Sequence, residues 1–364
     1  MKLTCSKDAL VAALGTVTRA VSSRGSVQVL AGVLLRAEDG MLHLAATDME
    51  LSLRTSIPAD VHAEGAVVVP GKLLTDLARL LPTDEVTVEH RADEGTAQLS
   101  CGSHTSRLNV FAAEDFPRLP SIEVGLHEVE AASFAQTVER VSRSASRDES
   151  RPVLTGILVR FEGTTLVMAA TDSYRLSVKS TELESPGPEL EAIIPARALA
   201  EVTRLAGAAE TVKLGVNQNH VVFGLADVWL TTRRIDGQFP NYKQLIPESY
   251  DVVMSLPRGE VLDVVRRAAV MAQRNTPLRL RFAQGELAIS AQSQDVGETR
   301  ESLPAPYTGA PLEIGFNADF LRDGLEAVQA DTVELKLINP LRPGLITSAG
   351  DSFSYLIMPI RLAG

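Results

Sequence analysis

Apolar and polar positions along this chain follow one plan, stated three times. In residues 6–20, Leu10, Val11, Leu14 and Val17 recur at helical steps, the signature of an amphipathic helix, and Ser6 stands in the place of an N-cap. The same pattern returns at 131–146 and at 258–273. Period-two alternation follows, as at 42–44 and 51–53, and predicts half-buried strands. A short apolar strand then leads into a second helical stretch, within 66–81, 192–206 and 314–328, with Pro70 and Pro195 at matching helix starts. Strands at 86–88, 212–216 and 333–337 close the units. The plan predicts an α+β protein of three tandem domains, 1–124, 125–249 and 250–364, each a doubled helix-plus-strands half.

The repetition is explicit in places. Residues 30–48 align without gaps on 154–172, and 10 of those 19 positions are identical: Leu30, Gly32, Leu34, Arg36, Glu38, Leu42, Ala45, Ala46, Thr47 and Asp48. Identity at that density marks a duplication, and such self-similarity governs the reading of the fold. A weaker third copy runs over 278–290, with Gly285 at its turn and Leu287 in the place of Leu166, but without the Ala-Ala-Thr-Asp run. After Asp172 the first two copies part: Met49-Glu50-Leu51 becomes Ser173-Tyr174-Arg175. That divergence marks where one copy takes on a task the other lacks.

Composition narrows the class. The chain has 364 residues with 45% apolar and 22% charged positions, enough for more than one core. No apolar run approaches the roughly 20 residues of a membrane helix, and the N-terminal MKLTCSKDAL lacks the apolar segment of a secretion signal. Cys5 and Cys101 lie far apart, as free thiols of a reducing compartment do. The expected location is the cytoplasm. A net charge of −11 argues against tight nucleic-acid binding over the whole surface, but permits a local basic face.

Catalytic constellations are missing from the sequence. The six histidines are scattered, and Cys101 with His104 is only half a zinc site. There is no Walker A loop, no dinucleotide fingerprint and no nucleophile elbow. The repeated pairs Thr47-Asp48 and Thr171-Asp172 can be read as catalytic carboxylates of a hydrolase, which would need nearby His or metal ligands. A strand-end turn, in which these side chains bond local backbone, explains their duplication better. No catalytic residue, metal or cofactor is expected.

The positive charges are patterned. Arg140, Arg143, Arg147 and Arg151 are spaced by 3, 4 and 4 residues, so one helix face would carry them all if the helix ran that far. Lys72 and Arg79 share a face of one second helix, and Arg197 with Arg204 occupies the equivalent places 125 residues on. Solvated faces with ion pairs account for any single pair, since Asp76 and Glu201 each follow a basic residue by four. Recurrence in equivalent helices points instead to helices turning a basic face to a common polyanion. Unit three departs, with Asp319 and Glu326 in those places and Arg266, Arg267 and Arg274 on its first helix.

Three tandem units, TDSYRL at 171–176, IDGQFPNYKQLIP at 235–247 and YLIMPIRL at 355–362 together resemble the bacterial DNA polymerase III beta subunit family, the sliding clamps. The resemblance covers the whole chain. It implies a head-to-tail homodimer whose domains close into a ring, helices inside and sheets outside, with duplex DNA passing through independently of sequence. On that pattern Arg24, Lys72, Arg79, Arg140, Arg143, Arg147, Arg151, Arg197 and Arg204 would face the DNA. Loading would need a separate ATP-driven clamp loader.

The family also implies a pocket that captures short apolar peptides of the polymerase III alpha subunit and of other replication and repair proteins. Its walls here would be Leu154, Thr171, Ser173, Tyr174, Arg175, Leu176, Pro240, Gln244 and Leu245, with Leu356, Ile357, Met358, Pro359, Ile360, Arg361 and Leu362 from the C-terminus. Apolar anchors in such a pocket carry most of the affinity. Ser173 and Tyr174 stand where Gly and His are frequent, Ile360 where Met is, and Ala363-Gly364 extends past the usual terminal Leu, so peptide preference is expected to differ. Leu108 and Val110 on one side, with Val270 and Met271 on the other, are the expected dimer contacts. The alternative to a replicative clamp is a paralogue of the same fold serving drug resistance or repair.

Overall fold

In the computed structural model, residues 1–22, 27–121, 125–217, 219–272, 276–293 and 297–362 are described. They pack into two compact units, Met1–Ala131 with Leu205–Arg234, and Ala132–Arg204 with Ile235–Gly364.

The predicted helices form, with shorter ends. The first is Lys7–Val17, continued by the 3-10 turn Thr18–Ala20. Ser6 occupies the N-cap with extended backbone, but its hydroxyl makes no cap bond. Asn317, at the head of helix Ala318–Ala327, does cap, accepting from Phe320 N at 3.0 Å. The helix expected over 131–146 stops at Ser142, where Ser144 N turns back to Val141 O and Ala145 N to Ser142 O. Within the first unit, helices Lys7–Val17 and Gly71–Leu80 pack on each other; within the second, Arg258–Met271 packs on Ala318–Ala327.

Each unit contains an eight-stranded antiparallel sheet that joins neighbouring repeats. In the first unit, strand Leu51–Pro58 pairs with Val228–Arg233 in the register Leu51↔Thr232 and Ser52↔Thr231. In the second, Arg175–Glu182 pairs with Phe353–Ile357 in the register Arg175↔Ile357 and Leu176↔Leu356. Leu51 and Arg175 are 124 residues apart, as are Ser52 and Leu176, so the two seams repeat one another. A five-stranded sheet completes the first unit and a four-stranded sheet the second.

Local chemistry explains the turns. Asp39 and Gly40, both at positive φ (50° and 72°), link strands Gly32–Glu38 and Met41–Thr47, a two-residue loop that suits the twist of the hairpin. A largely aliphatic core of the second unit also encloses the rings of Phe282, Phe316, Phe353 and Tyr355, each at most 1% exposed, each burial contributing on the order of 2–3 kcal/mol.

Candidate functional site

The duplicated Thr-Asp pairs are turn builders. In copy one, Thr47 Oγ1 donates to Leu51 O (3.0 Å) and accepts from Met49 N (3.0 Å), while Asp48 Oδ1 accepts from Glu50 N and Leu51 N. Copy two repeats all four bonds: Thr171 Oγ1 to Arg175 O (2.6 Å) and from Ser173 N (3.2 Å), and Asp172 Oδ1 from Tyr174 N and Arg175 N. Met49 and Ser173 hold the same left-handed backbone, φ 79° and 80°. In both copies the Thr-Asp side chains thus bond local backbone, which is the turn-building reading.

Where the copies diverge, the second lies beside an apolar cluster. Leu176 and Leu356, side by side across the seam, form one apolar cluster with Leu158, Ala169, Tyr242 and Leu345, and half-buried Phe239 and Ile246 pack against it. The 3-10 turn Tyr242–Leu245 brings Tyr242 into the cluster and leaves Gln244 and Leu245 outside it, Leu245 being 49% exposed. Tyr174 (62%) and Met358 (42%) are exposed rims, joined by Met358 N donating to Tyr174 O at 2.9 Å. Leu154 is buried in the short helix Pro152–Thr155, its carbonyl accepting from Ser146 N at 2.8 Å. Sequence reading had not singled out Tyr242 or Phe239 as walls; the alternation along 239–246 is too irregular to reveal which ring turns inward.

Two expected wall residues sit on the opposite face. Along Phe353–Ile357 the side chains alternate, so Leu356 joins the outer cluster while Ile357, fully buried, belongs to the core beneath the helices. Arg175, opposite Ile357, points the same way: its guanidinium donates to Asp172 Oδ2 (3.0 Å) and Asp323 Oδ2 (2.6 Å), lies 4.2 Å from the Phe320 ring centre, and donates to Arg143 O. Burial would lower its affinity for protons, but Tyr355, Asp323 and Asp172 outweigh that and raise it. Arg175 therefore braces the loop from behind. The C-terminal segment continues past the cluster: Ile360 N donates to Gly315 O (2.8 Å), and Leu362 crowds the space a Cβ on Gly315 would need. Pro359 is half-buried and Arg361 exposed, as is Ser173, whereas Thr171 is buried; Pro240 is half-buried.

The basic residues divide. Arg140 was expected on a solvent face, but it is 5% exposed. Its Nη1 bonds Asp351 Oδ1 at 3.0 Å, Nη2 bonds Oδ2, Nε bonds Ala327 O at 2.7 Å, and its carbon lies 4.3 Å from the Phe353 ring centre. The helix ends two residues later, so Arg143, Arg147 and Arg151 share no face with it. Arg143 pairs with Glu326 and with Asp323 (3.4 Å); Arg151 bonds Asp148 (3.0 Å) and Ser173 Oγ (3.1 Å). Arg143, Arg147 and Arg197 nevertheless line one open concavity of ≈ 730 Å³. Lys72 and Arg79 are exposed on Gly71–Leu80, and Arg204, partly exposed, bonds Glu201 at 2.9 Å. Arg24 lies outside the described residues, as does Arg274.

Of the expected dimer contacts, Leu108 is 5% exposed and lies opposite Ala97 in its own sheet, so it offers little surface. Val110 and Met271 are half-buried, and Val270 is 80% exposed. Both cysteines are buried and free, and burial pushes the Cys5 thiol up to about 11. Among the described residues no group of three or more His, Cys, Asp or Glu could hold a metal, and no helix is long and apolar enough to cross a membrane.

Comparison with known proteins covers the whole chain. Family models for the N-terminal, central and C-terminal domains of the DNA polymerase III beta subunit match residues 1–120, 128–241 and 243–361. Beta sliding clamps of Streptomyces coelicolor and Synechococcus elongatus are 34% and 36% identical, each aligned over 100% of both chains. A beta sliding clamp homolog, GriR, of Streptomyces muensis is 29% identical over 99% of both. The sliding clamp of Bacillus subtilis superposes with a TM-score of 0.95 at 25% identity, and that of Pseudomonas aeruginosa bound to griselimycin with 0.92 at 27%, each over 100% of both chains. With its repeats, its paired seams and its full-length relatives in agreement, the chain belongs to the bacterial DNA polymerase III beta subunit family, the beta sliding clamps.

Proposed function

We propose that this chain is a processivity factor: two copies close head to tail around duplex DNA and tether the replicative polymerase. The observation that carries the reading is full-length membership, with all three clamp domains present in order. The domains are taken as 1–124, 125–249 and 250–364. A topological tether needs only weak, sequence-independent phosphate contacts, which suits a chain of net charge −11 with a few basic concavities. Lys72, Arg79, Arg147, Arg197 and Arg204 are the proposed DNA-facing residues, with Arg143 shared between DNA and its carboxylate partners, and Arg24 and Arg151 as loop contacts.

Closure would use two sheet edges. Strands His104–Asn109 and Gly297–Pro304 each end a sheet, and an open edge is a template for pairing with another chain; Val110, Val270 and Met271 would flank that contact. Partner peptides, from the polymerase III alpha subunit, the clamp loader and other replication and repair proteins, would dock over the Leu176, Leu356 and Tyr242 cluster, between the rims Tyr174, Leu245 and Met358. The role is non-catalytic and cytoplasmic and uses no cofactor. The homolog GriR supports a second reading, a paralogue kept for drug resistance or repair, but identity is higher to the plain sliding clamps.

The test is retention on nicked circular plasmid after loading by a clamp loader, before and after the plasmid is linearised. Retention on the circle with loss from linear ends is the expected result. Equal retention on both means binding by contact and overturns the topological role.

A further inference from the structure

We propose that the first unit carries a separate ligand site, an ≈ 930 Å³ cavity that binds a small oxyanion on an aromatic or apolar body through Arg54. Its floor is one cross-strand row. Leu34 faces Ala45, Ala45 faces Arg54, Arg54 faces Trp229, and Trp229 faces Gly224. Ala45 is small, and the indole lies so close over Gly224 that a Cβ there would stand 2.8 Å from it. The indole occupies the space over Gly224, and small Ala45 leaves a depression in the row, which buried Phe116 and its neighbours wall from one side. The volume falls within the range of small-molecule pockets.

Arg54 gives the cavity its chemistry. Its Nη2 donates to Pro120 O, while Nε is shut off from water and has no hydrogen-bond partner. Among the described residues no carboxylate pairs with it. Glu38, which also lines the cavity, lies 3.8 Å from Arg36 and 3.9 Å from His43. A guanidinium stays charged at any physiological pH, and one left partly desolvated without a counterion is held at a cost. With Nε shut off and Nη2 held by Pro120 O, Nη1 is left to donate to an oxygen of a carboxylate or phosphate. Arg118, Glu114 and Asp227 also line the cavity, and these acids disfavour a polyphosphate while leaving room for one oxyanionic group. The geometry selects one oxyanionic group beside the indole.

The chain has one tryptophan, and it is Trp229, so emission excited beyond the tyrosine absorption band reports on this cavity. The full-length protein is titrated with phenyl phosphate, benzoate, inorganic phosphate and uncharged benzyl alcohol. The expected result is a saturable emission change with the aryl oxyanions, weakened at least about tenfold in Arg54→Gln, as loss of a charge-assisted hydrogen bond implies. Tighter binding of phenyl phosphate marks a phosphoryl ligand and of benzoate a carboxylate; either supports the site. Ala45→Leu, which fills the floor and keeps Arg54, should abolish the response while circular dichroism stays unchanged. No saturable response to either aryl oxyanion, undiminished affinity in Arg54→Gln, or equal affinity for benzyl alcohol overturns the proposal.

Discussion

Replacing Arg140 by Ala separates a structural cation from a DNA-contacting one. The change removes both bonds to Asp351, the bond to Ala327 O and the stack on Phe353. Asp351, with its side chain 16% exposed, keeps, among the described residues, only Lys179 at 3.2 Å as a cationic partner. Breaking a buried pair from one side costs about 3–5 kcal/mol; the surviving lysine reduces that to about 2–4 kcal/mol. For a unit of roughly 200 residues this corresponds to a fall in melting temperature of about 4–16 °C. Thermal and denaturant unfolding followed by circular dichroism read the loss, and retention on circular DNA at rising salt reads DNA contact. Arg140→Ala should lose stability and keep the salt dependence of the folded protein. Arg147→Ala and Arg197→Ala should do the reverse. A stable Arg140→Ala variant with weakened, less salt-dependent retention would refute the reasoning, because the buried pair would then carry no energy and the arginine would reach phosphate. Arg140→Met combined with Asp351→Leu and Lys179→Met, which removes the whole buried triad, should recover much of the stability, since apolar replacements of buried ionic groups are often neutral or better.

Two further outcomes follow from the same unit. Burial alone would raise Asp351, but the bond from Arg140, supported by Lys179, holds its carboxyl below the ordinary 3.8, and bonds from Arg143 and Arg266 hold Glu326 below 4.5. Because both are depressed in the folded state, their contribution is complete above those ordinary values and is lost as pH falls through the lower folded ones. Unfolding free energy should therefore decline as the pH drops below about 4, and Asp351→Asn should flatten that acid limb; an unaltered limb removes Asp351 from the account. Truncation after Ile357 removes the Met358 rim and uncovers Gly315 O, the acceptor of Ile360 N. It should abolish capture of a fluorescent clamp-binding peptide in anisotropy titrations while sedimentation still shows a dimer, and loss of the dimer instead would misplace the pocket.

Much of this protein was legible before any coordinates, and the legible part is local. Helical spacing, hairpin turns and the Thr-Asp turns arise from residues within a few positions of each other, so the sequence carries them whole, and a duplicated segment folds alike twice. What the tertiary structure decided rests on distant partners. Arg140 reads as one of a basic series until Ala327 and Asp351, 187 and 211 residues away, turn it into a core cation. Ile357 and Leu356 are equally apolar neighbours, and only the seam with Arg175–Glu182 determines which faces the helices and which the outer cluster. The same seams join strands of successive repeats, so the compact units cross the repeat boundaries. The Arg54 cavity is likewise invisible along the chain, because its floor draws one residue from each of several strands. Periodicity records which residues are buried on one element; it holds no record of what they meet.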